Sequence, residues 1–483
     1  MLTPANVGMQ TFGKVAFFAV DGKVDAQPLY LSNVNIPGVG TRNVLYAVTE
    51  HASAYAFDAD SGTELWQKSM LGTGETPAQS DSLHLNCSQV APEIGITATP
   101  VIDRTRGPNG ALYLIAMSFD SSGNYIQRVH ALDVATGAEL FGGPQTIAAS
   151  YPGTGANSSN GRVVFDPGQY EERVGLLMLN GVLYSAWTSH CDFDPYTGWV
   201  IGIDARTLQQ ASVFNVTPNG AKGAIWMAGS GLAADSSGAI YFIAGNGTFD
   251  ESATGIPADL GNAFLKLSTQ GGLAVADFFA SYDTTALSDI DEDFGSGGAL
   301  LFPDLVDAGG NTRHLAVGAG KDAKIYVVDR DSMGGFSSSG NNNYQVLVSS
   351  LGGSVFSKPA YFNGALYYGA VGDNIKAFPV VSALVSATPS SRTATTFAYP
   401  GATPSISSNG NTKGIVWAVE NNSTAVLHAY DASNLAREFY NSNQAANGRD
   451  QFGAGNKFIA PVIVNGRVYV GTPDGVAAFG LLP

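Results

Sequence analysis

The residues of this chain able to do chemistry sit where short apolar runs give way to turns. Glu50 and His51, Asp120, His190 and Asp192, Asn246, Lys321, Asp373, Glu420 and Asn421, and Asp474 follow such runs. Glu93, Arg173, Lys358 and Lys457 stand on the connections between them. If the runs are strands of one repeating unit, these groups gather on one face, and the funnel they line suits a small polar molecule or a glycan. Cys87 and Cys191 fall on that same face. A disulfide between them is expected in an oxidising compartment. His84, Cys87, His190 and Cys191 also have the ligand types of a zinc site, although the adjacent His190 and Cys191 are awkward donors to one ion.

The elements that must position these groups repeat about every 55–60 residues. One strand starts near a proline and ends at a turn, as in TPVIDRTRGPNG, KPAYFNG, TPSISSNG and APVIVNG. A strongly β-prone strand follows, then a third that closes on Asp plus a turn, as in VHALDVATG and SAYAFDADSG. Period-two alternation and Gly/Asn/Asp turns predict four-stranded antiparallel meanders. Units fall near 21–69, 95–144, 174–214, 224–279, 293–336, 352–389, 401–442 and 455–483. The last lacks an outer strand, while residues 10–20 form a strand without a unit. The fold expected is therefore an all-β, eight-bladed β-propeller in a single domain, closed by the N-terminal strand joining the last blade.

Composition agrees with that class and excludes others. Apolar residues make up 45% and charged residues 13%, with 59 glycines spread end to end, as short strands and tight turns require. The formal charge of −16 argues against nucleic acid or anionic lipid as partner, since both need basic patches. No run reaches the length of a membrane span. The opening MLTPANVG has neither a basic nor an apolar leader, so the chain is read as a bacterial protein, secreted or periplasmic, whose signal peptide has been removed, and as a monomer.

The segment GAIWMAGSGLAADSSGAIYFIAGNGTFD, residues 223–250, reads as two short strands joined by a turn from Asp235 to Gly238. Trp226 precedes the first strand and Asn246 ends the second. Together with LDVATGAELF and FDADSGTELW, this layout resembles the PQQ-binding-like repeats of quinoprotein alcohol dehydrogenases, over nearly the whole chain. The resemblance implies roles one by one. Trp226 looks like the tryptophan that stacks under the quinone, and Asn246 like the amide ligand of calcium. SDIDEDFGSGG, residues 288–298, falls where the family carries its catalytic aspartate. Asp293, followed by an aromatic residue, is the nearest match, with Asp289 and Asp291 as rivals. Lys321, in GAGKDAKIYVVDR, would point at the quinone's oxygens.

The chain also departs from the family. It has no adjacent cysteine pair of the kind many of these enzymes place over the quinone, and no Cys-x-x-Cys-His haem motif, so an electron acceptor would be external. The calcium-binding glutamate and quinone-binding arginine find no clear counterpart. In the corresponding unit, SHCDFDPYTGWV offers Asp192 or Asp194 as metal ligands instead. The resemblance thus implies an exported oxidoreductase acting on an alcohol or sugar hydroxyl with PQQ and calcium. Two other classes fit the same funnel. One is a non-catalytic propeller that binds a glycan or protein or scaffolds an envelope complex. The other is a carbohydrate-active enzyme using paired carboxylates.

Overall fold

The computed structural model describes residues 1–79 and 87–483; His84, proposed above as a zinc ligand, lies outside them. Strands take up 45% of the chain and helices 4%, so the class is all-β. Among the described residues the strands form eight sheets of four or more strands and two smaller ones. A representative sheet runs Ser405–Asn409, Thr412–Glu420, Val426–Asp431 and Asn434–Asn441, each strand antiparallel to the next.

The recurrent Asp at the end of the third strand has a local cause. Asp133 Oδ1 accepts the backbone N–H groups of Ala135 and Thr136 at 3.0 and 3.1 Å. Asp58 does the same for Asp60 and Ser61, and Asp204 for Arg206 and Thr207. The carboxylate satisfies donors that the reversal leaves without ladder partners, and so fixes the turn into the fourth strand.

The larger apolar clusters each join one sheet to the next. Tyr46, Ala54 and Trp66 pack with Leu112, Leu114 and Leu132. Trp187 of the third main sheet is fully buried, and its indole N–H donates to Gln127 Oε1 of the second at 2.7 Å. Burying one such aromatic contributes roughly 2–3 kcal/mol. The last contacts return to the start: Phe18, Tyr55 and Phe57 pack with Tyr469, Val476 and Ala478. The strand Phe12–Ala19 pairs antiparallel with Gly475–Leu481, from Phe12 opposite Leu481 to Ala19 opposite Gly475.

Three elements lie outside the repeating strands. The Gly/Ser/Asn loop at 150–161 contributes to a small sheet, Ser150–Pro152 with Arg162–Val164 and Ser158–Ser159. Residues 305–313 carry a short hairpin, Leu305–Val306 with Thr312–Arg313. The connection at 288–298 is preceded by a helix, Thr284–Asp289. These pieces are too short to show a hydrophobic period. Among the described residues no helix is long and apolar enough to cross a membrane.

Candidate functional site

Trp226 and Asn246 are held together by backbone. The Gly245 N–H donates to the Ala224 carbonyl at 2.8 Å and the Gly223 N–H to the Asn246 carbonyl at 2.5 Å. Directly after Trp226 the chain takes three left-handed residues, Met227, Ala228 and Gly229, at φ 39°, 50° and 81°. Two of them have side chains that disfavour this region, so the tight turn that sets the indole is strained locally.

Asp293 is fixed from behind by Asn262. The Asn262 amide donates to the Thr284 carbonyl and its Oδ1 accepts the Phe294 N–H, at 2.9 and 2.7 Å. The Asp293 carbonyl accepts the Lys321 N–H at 2.9 Å. A Cβ at Gly320 would stand 2.5 Å from that carbonyl oxygen, so only glycine lets the two segments approach this closely.

The side chains converge. Trp226 Nε1 donates to Asp293 Oδ2 at 3.1 Å, and Lys321 Nζ lies 2.7 Å from Asp293 Oδ1 and 2.5 Å from Asp291 Oδ1. The Asn246 amide donates to Asp291 Oδ1 at 2.6 Å, and the Lys321 ammonium sits 5.8 Å from the centre of the Trp226 ring. Burial pushes the Asp293 carboxyl up; the Lys321 charge and the hydrogen bonds oppose this, and the net shift is upward. Burial lowers the Lys321 ammonium, but Asp293 and Asp291 outweigh it and raise it overall, so it stays charged.

All five line one cavity of about 310 Å³, at the small end of the range for small-molecule sites. An aromatic wall of Trp226, Phe356, Tyr399 and Phe458 faces it, with neighbouring ring centroids 5.4 to 6.4 Å apart and tilted or edge-on. Phe356 and Phe458 meet Trp226 tilted and edge-on, at 5.6 and 6.2 Å, and neither stacks parallel on it. Cations pack against this wall. The Arg173 guanidinium lies 4.7 Å from the centre of the Phe458 ring with Nη1 3.2 Å from Glu171 Oε1, and Lys457 Nζ lies 6.0 Å from the same ring. Burial raises the Glu171 carboxyl despite Arg173.

Asp192 reaches the cavity and accepts from Ser189 Oγ at 3.0 Å and Tyr196 Oη at 3.2 Å. Asp194 does not: its side chain is 59% exposed, 4.0 Å from Lys222 Nζ, and outside the cavity wall. It stands apart from the other donors, among which the sequence reading had placed it. Of the rival aspartates, Asp291 lines the cavity and Asp289, ending its helix, does not. Cys87 and Cys191 form a disulfide with Cα atoms 5.8 Å apart, so their sulfurs are committed to each other, although His190 lies close by. The bond ties two connections whose neighbours Gln89 and Asp192 line the cavity. Several other groups of the expected polar funnel are spent locally: His51 pairs with Glu93, Asp373 with Lys376, and Asp120 with its own turn at Asn124.

The sequence reading assigned no role to Glu171, Phe356, Tyr399 or Phe458. Glu171 and Arg173 come from GQYEERVG, whose charges read as an ordinary connection; the strand Tyr170–Glu172 turns Glu171 onto the wall. The three aromatic residues sit in connections without repeat pattern.

Among solved structures the chain is similar to a quinohemoprotein alcohol dehydrogenase from Pseudomonas putida HK5, at 14% identity and TM-score 0.62, over 100% of this chain and 77% of that one. It is similar to the quinohemoprotein alcohol dehydrogenase of Comamonas testosteroni, at 14% identity and TM-score 0.60, over 99% and 78%. BamB from Moraxella catarrhalis aligns at 12% identity and TM-score 0.53, over 97% of each chain. The chain has the quinoprotein-like β-propeller fold. No protein-family model matches it, and no curated protein sequence does. At these identities the likeness is one of fold, and function must be argued from the site.

Proposed function

We propose that this chain is an exported, secreted or periplasmic, quinoprotein-type oxidoreductase that oxidises an alcohol or sugar hydroxyl using PQQ and calcium. The eight main sheets are read as the blades of one closed ring and single domain, with Phe12–Ala19 completing the last. The observation that carries the reading is the meeting of Trp226, Asn246, Lys321 and Asp293 in one cavity.

The residues present fit the two implied groups. A planar, polyanionic quinone matches an aromatic ring at Trp226 in a cavity that Lys321, Arg173 and Lys457 also line. A hard cation matches oxygen donors: Asn246 Oδ1 is buried without a hydrogen-bond partner among the described residues, and Asp291, Asp293, Asp192 and Glu171 line the same space. When bound, PQQ supplies a two-electron acceptor for the carbon that loses its hydrogen. Asp293 is the base that takes the hydroxyl proton. Its Oδ2 is held by the Trp226 N–H and its charge by Lys321, so the carboxylate is aimed before substrate arrives. Electrons leave to an external acceptor, and the protein works as a monomer.

The test is dye reduction by protein reconstituted with PQQ and Ca²⁺, over a panel of alcohols and sugars. Turnover that needs both groups is expected. Inactivity across the panel, with PQQ demonstrably bound, would sink the enzymatic reading. A non-catalytic glycan-binding role would then gain ground, because Tyr399, 51% exposed, and Phe356 offer aromatic faces on which a sugar ring can stack.

A further inference from the structure

Arg173 and Phe458 are shared by two cavities. The second, about 290 Å³, is walled by residues from around the axis, among them Asp25, Thr97, Ser230, Lys358 and Thr403. It has a charge the proposed chemistry does not use. The Lys358 side chain makes no ion pair and no hydrogen bond among the described residues, and burial alone lowers its ammonium. Other charges on this wall are matched: Asp25 Oδ2 lies 2.7 Å from Lys23 Nζ, and Arg173 pairs with Glu171. The hydroxyls of Ser230 and Thr403 likewise have no protein partner among the described residues.

We propose that this axial cavity is a binding site for a small oxyanion, a carboxylate or a phosphate, held by the Lys358 ammonium with the Ser230 and Thr403 hydroxyls as further donors. A half-buried cation without a counter-charge is costly, and an anion admitted to a polar cavity removes that cost. The hydroxyls supply the hydrogen bonds an oxyanion needs on its remaining oxygens. The site lies in the second cavity, which shares Arg173 and Phe458 with the first, and does not depend on the PQQ assignment.

Thermal melting at constant ionic strength in chloride, acetate or phosphate tests this, since a ligand that binds only the folded state raises the midpoint. Acetate or phosphate should raise the wild-type midpoint above that in chloride. Lys358→Met should abolish the shift and melt above wild type in chloride, because the uncompensated charge is gone. Lys457→Met, which changes a residue that lines the first cavity and not the second, should keep the shift. Should Lys358→Met fail to fold, phosphate titration calorimetry on Lys358→Gln and Thr403→Val replaces it, with at least tenfold weaker binding expected in the former. The proposal is overturned if neither anion shifts wild type, if the Lys358 variants keep full binding, or if Lys457→Met abolishes the shift.

Discussion

Replacing Asp293 by Asn tests the proposed base and nothing larger, because the amide has nearly the shape of the carboxylate. Its oxygen can still accept the Trp226 N–H now received at 3.1 Å. Lys321 loses the contact at 2.7 Å but keeps Asp291 at 2.5 Å, whose side chain is 72% exposed. Breaking a buried ion pair outright costs about 3–5 kcal/mol. Here a partner remains and a carboxylate disfavoured by burial is removed, so about 1–2 kcal/mol of stability should be lost. The effect on rate should be far larger. A positioned base contributes about 10²–10⁴-fold, or about 3–5 kcal/mol at 1.36 kcal/mol per decade. Turnover by dye reduction, cofactor binding by absorbance titration and a melting curve separate the three quantities. The expected result is a kcat reduced at least hundredfold with PQQ affinity within a few-fold of wild type. Since burial raises the Asp293 carboxyl above 3.8, wild-type rate should climb with pH through a limb above that value, as the base must be ionised. A variant that binds PQQ and turns over within threefold of wild type would show that Asp293 is not the base.

Reduction of the Cys87–Cys191 bond, or the double change to Ser, should lower the melting temperature markedly. A cross-link closing a loop of 104 residues is worth up to about 4–5 kcal/mol in the chain-entropy account. Two thiols found by alkylation without reductant would contradict the pairing. His428 is buried between Glu420 Oε1 at 2.7 Å and Glu438 Oε1 at 2.6 Å. Burial lowers its pKa, but the two glutamates overcome this and raise it above 6.5. A raised folded pKa stabilises fully below 6.5 and less as pH climbs through the raised value, so stability should fall there. His428→Gln should flatten that slope, and an unchanged slope in pH-dependent unfolding would refute the assignment.

Most of the fold was legible because it rests on local rules. The Asp-plus-turn signal at Asp58, Asp133 and Asp204 is a carboxylate capping its own reversal, readable without neighbours. The surplus strand before residue 20 pointed to the deficit after 455, and the pairing of Phe12 with Leu481 follows from the same period. Trp226, Asn246, Asp293 and Lys321 were legible through their order along a familiar repeat. Asp194 stands apart from Asp192, only two residues away, beyond the left-handed pair Cys191 and Asp192 at φ 52° and 54°, a reversal no periodicity reveals. Glu171 and the aromatic wall were hidden for another reason. Phe356, Tyr399 and Phe458 come from three separate connections and become a surface only when the sheets bring those connections together.

The central claim is that this cavity holds PQQ against Trp226 beside a calcium ion, and titration of the metal-free protein with PQQ tests it most directly. Absorbance and tryptophan quenching should report one PQQ per chain, with binding strengthened at least tenfold by Ca²⁺ and weakened at least tenfold by Trp226→Leu. Addition of PQQ with no saturable spectral change, with or without Ca²⁺, or equal binding by wild type and Trp226→Leu, would contradict the account.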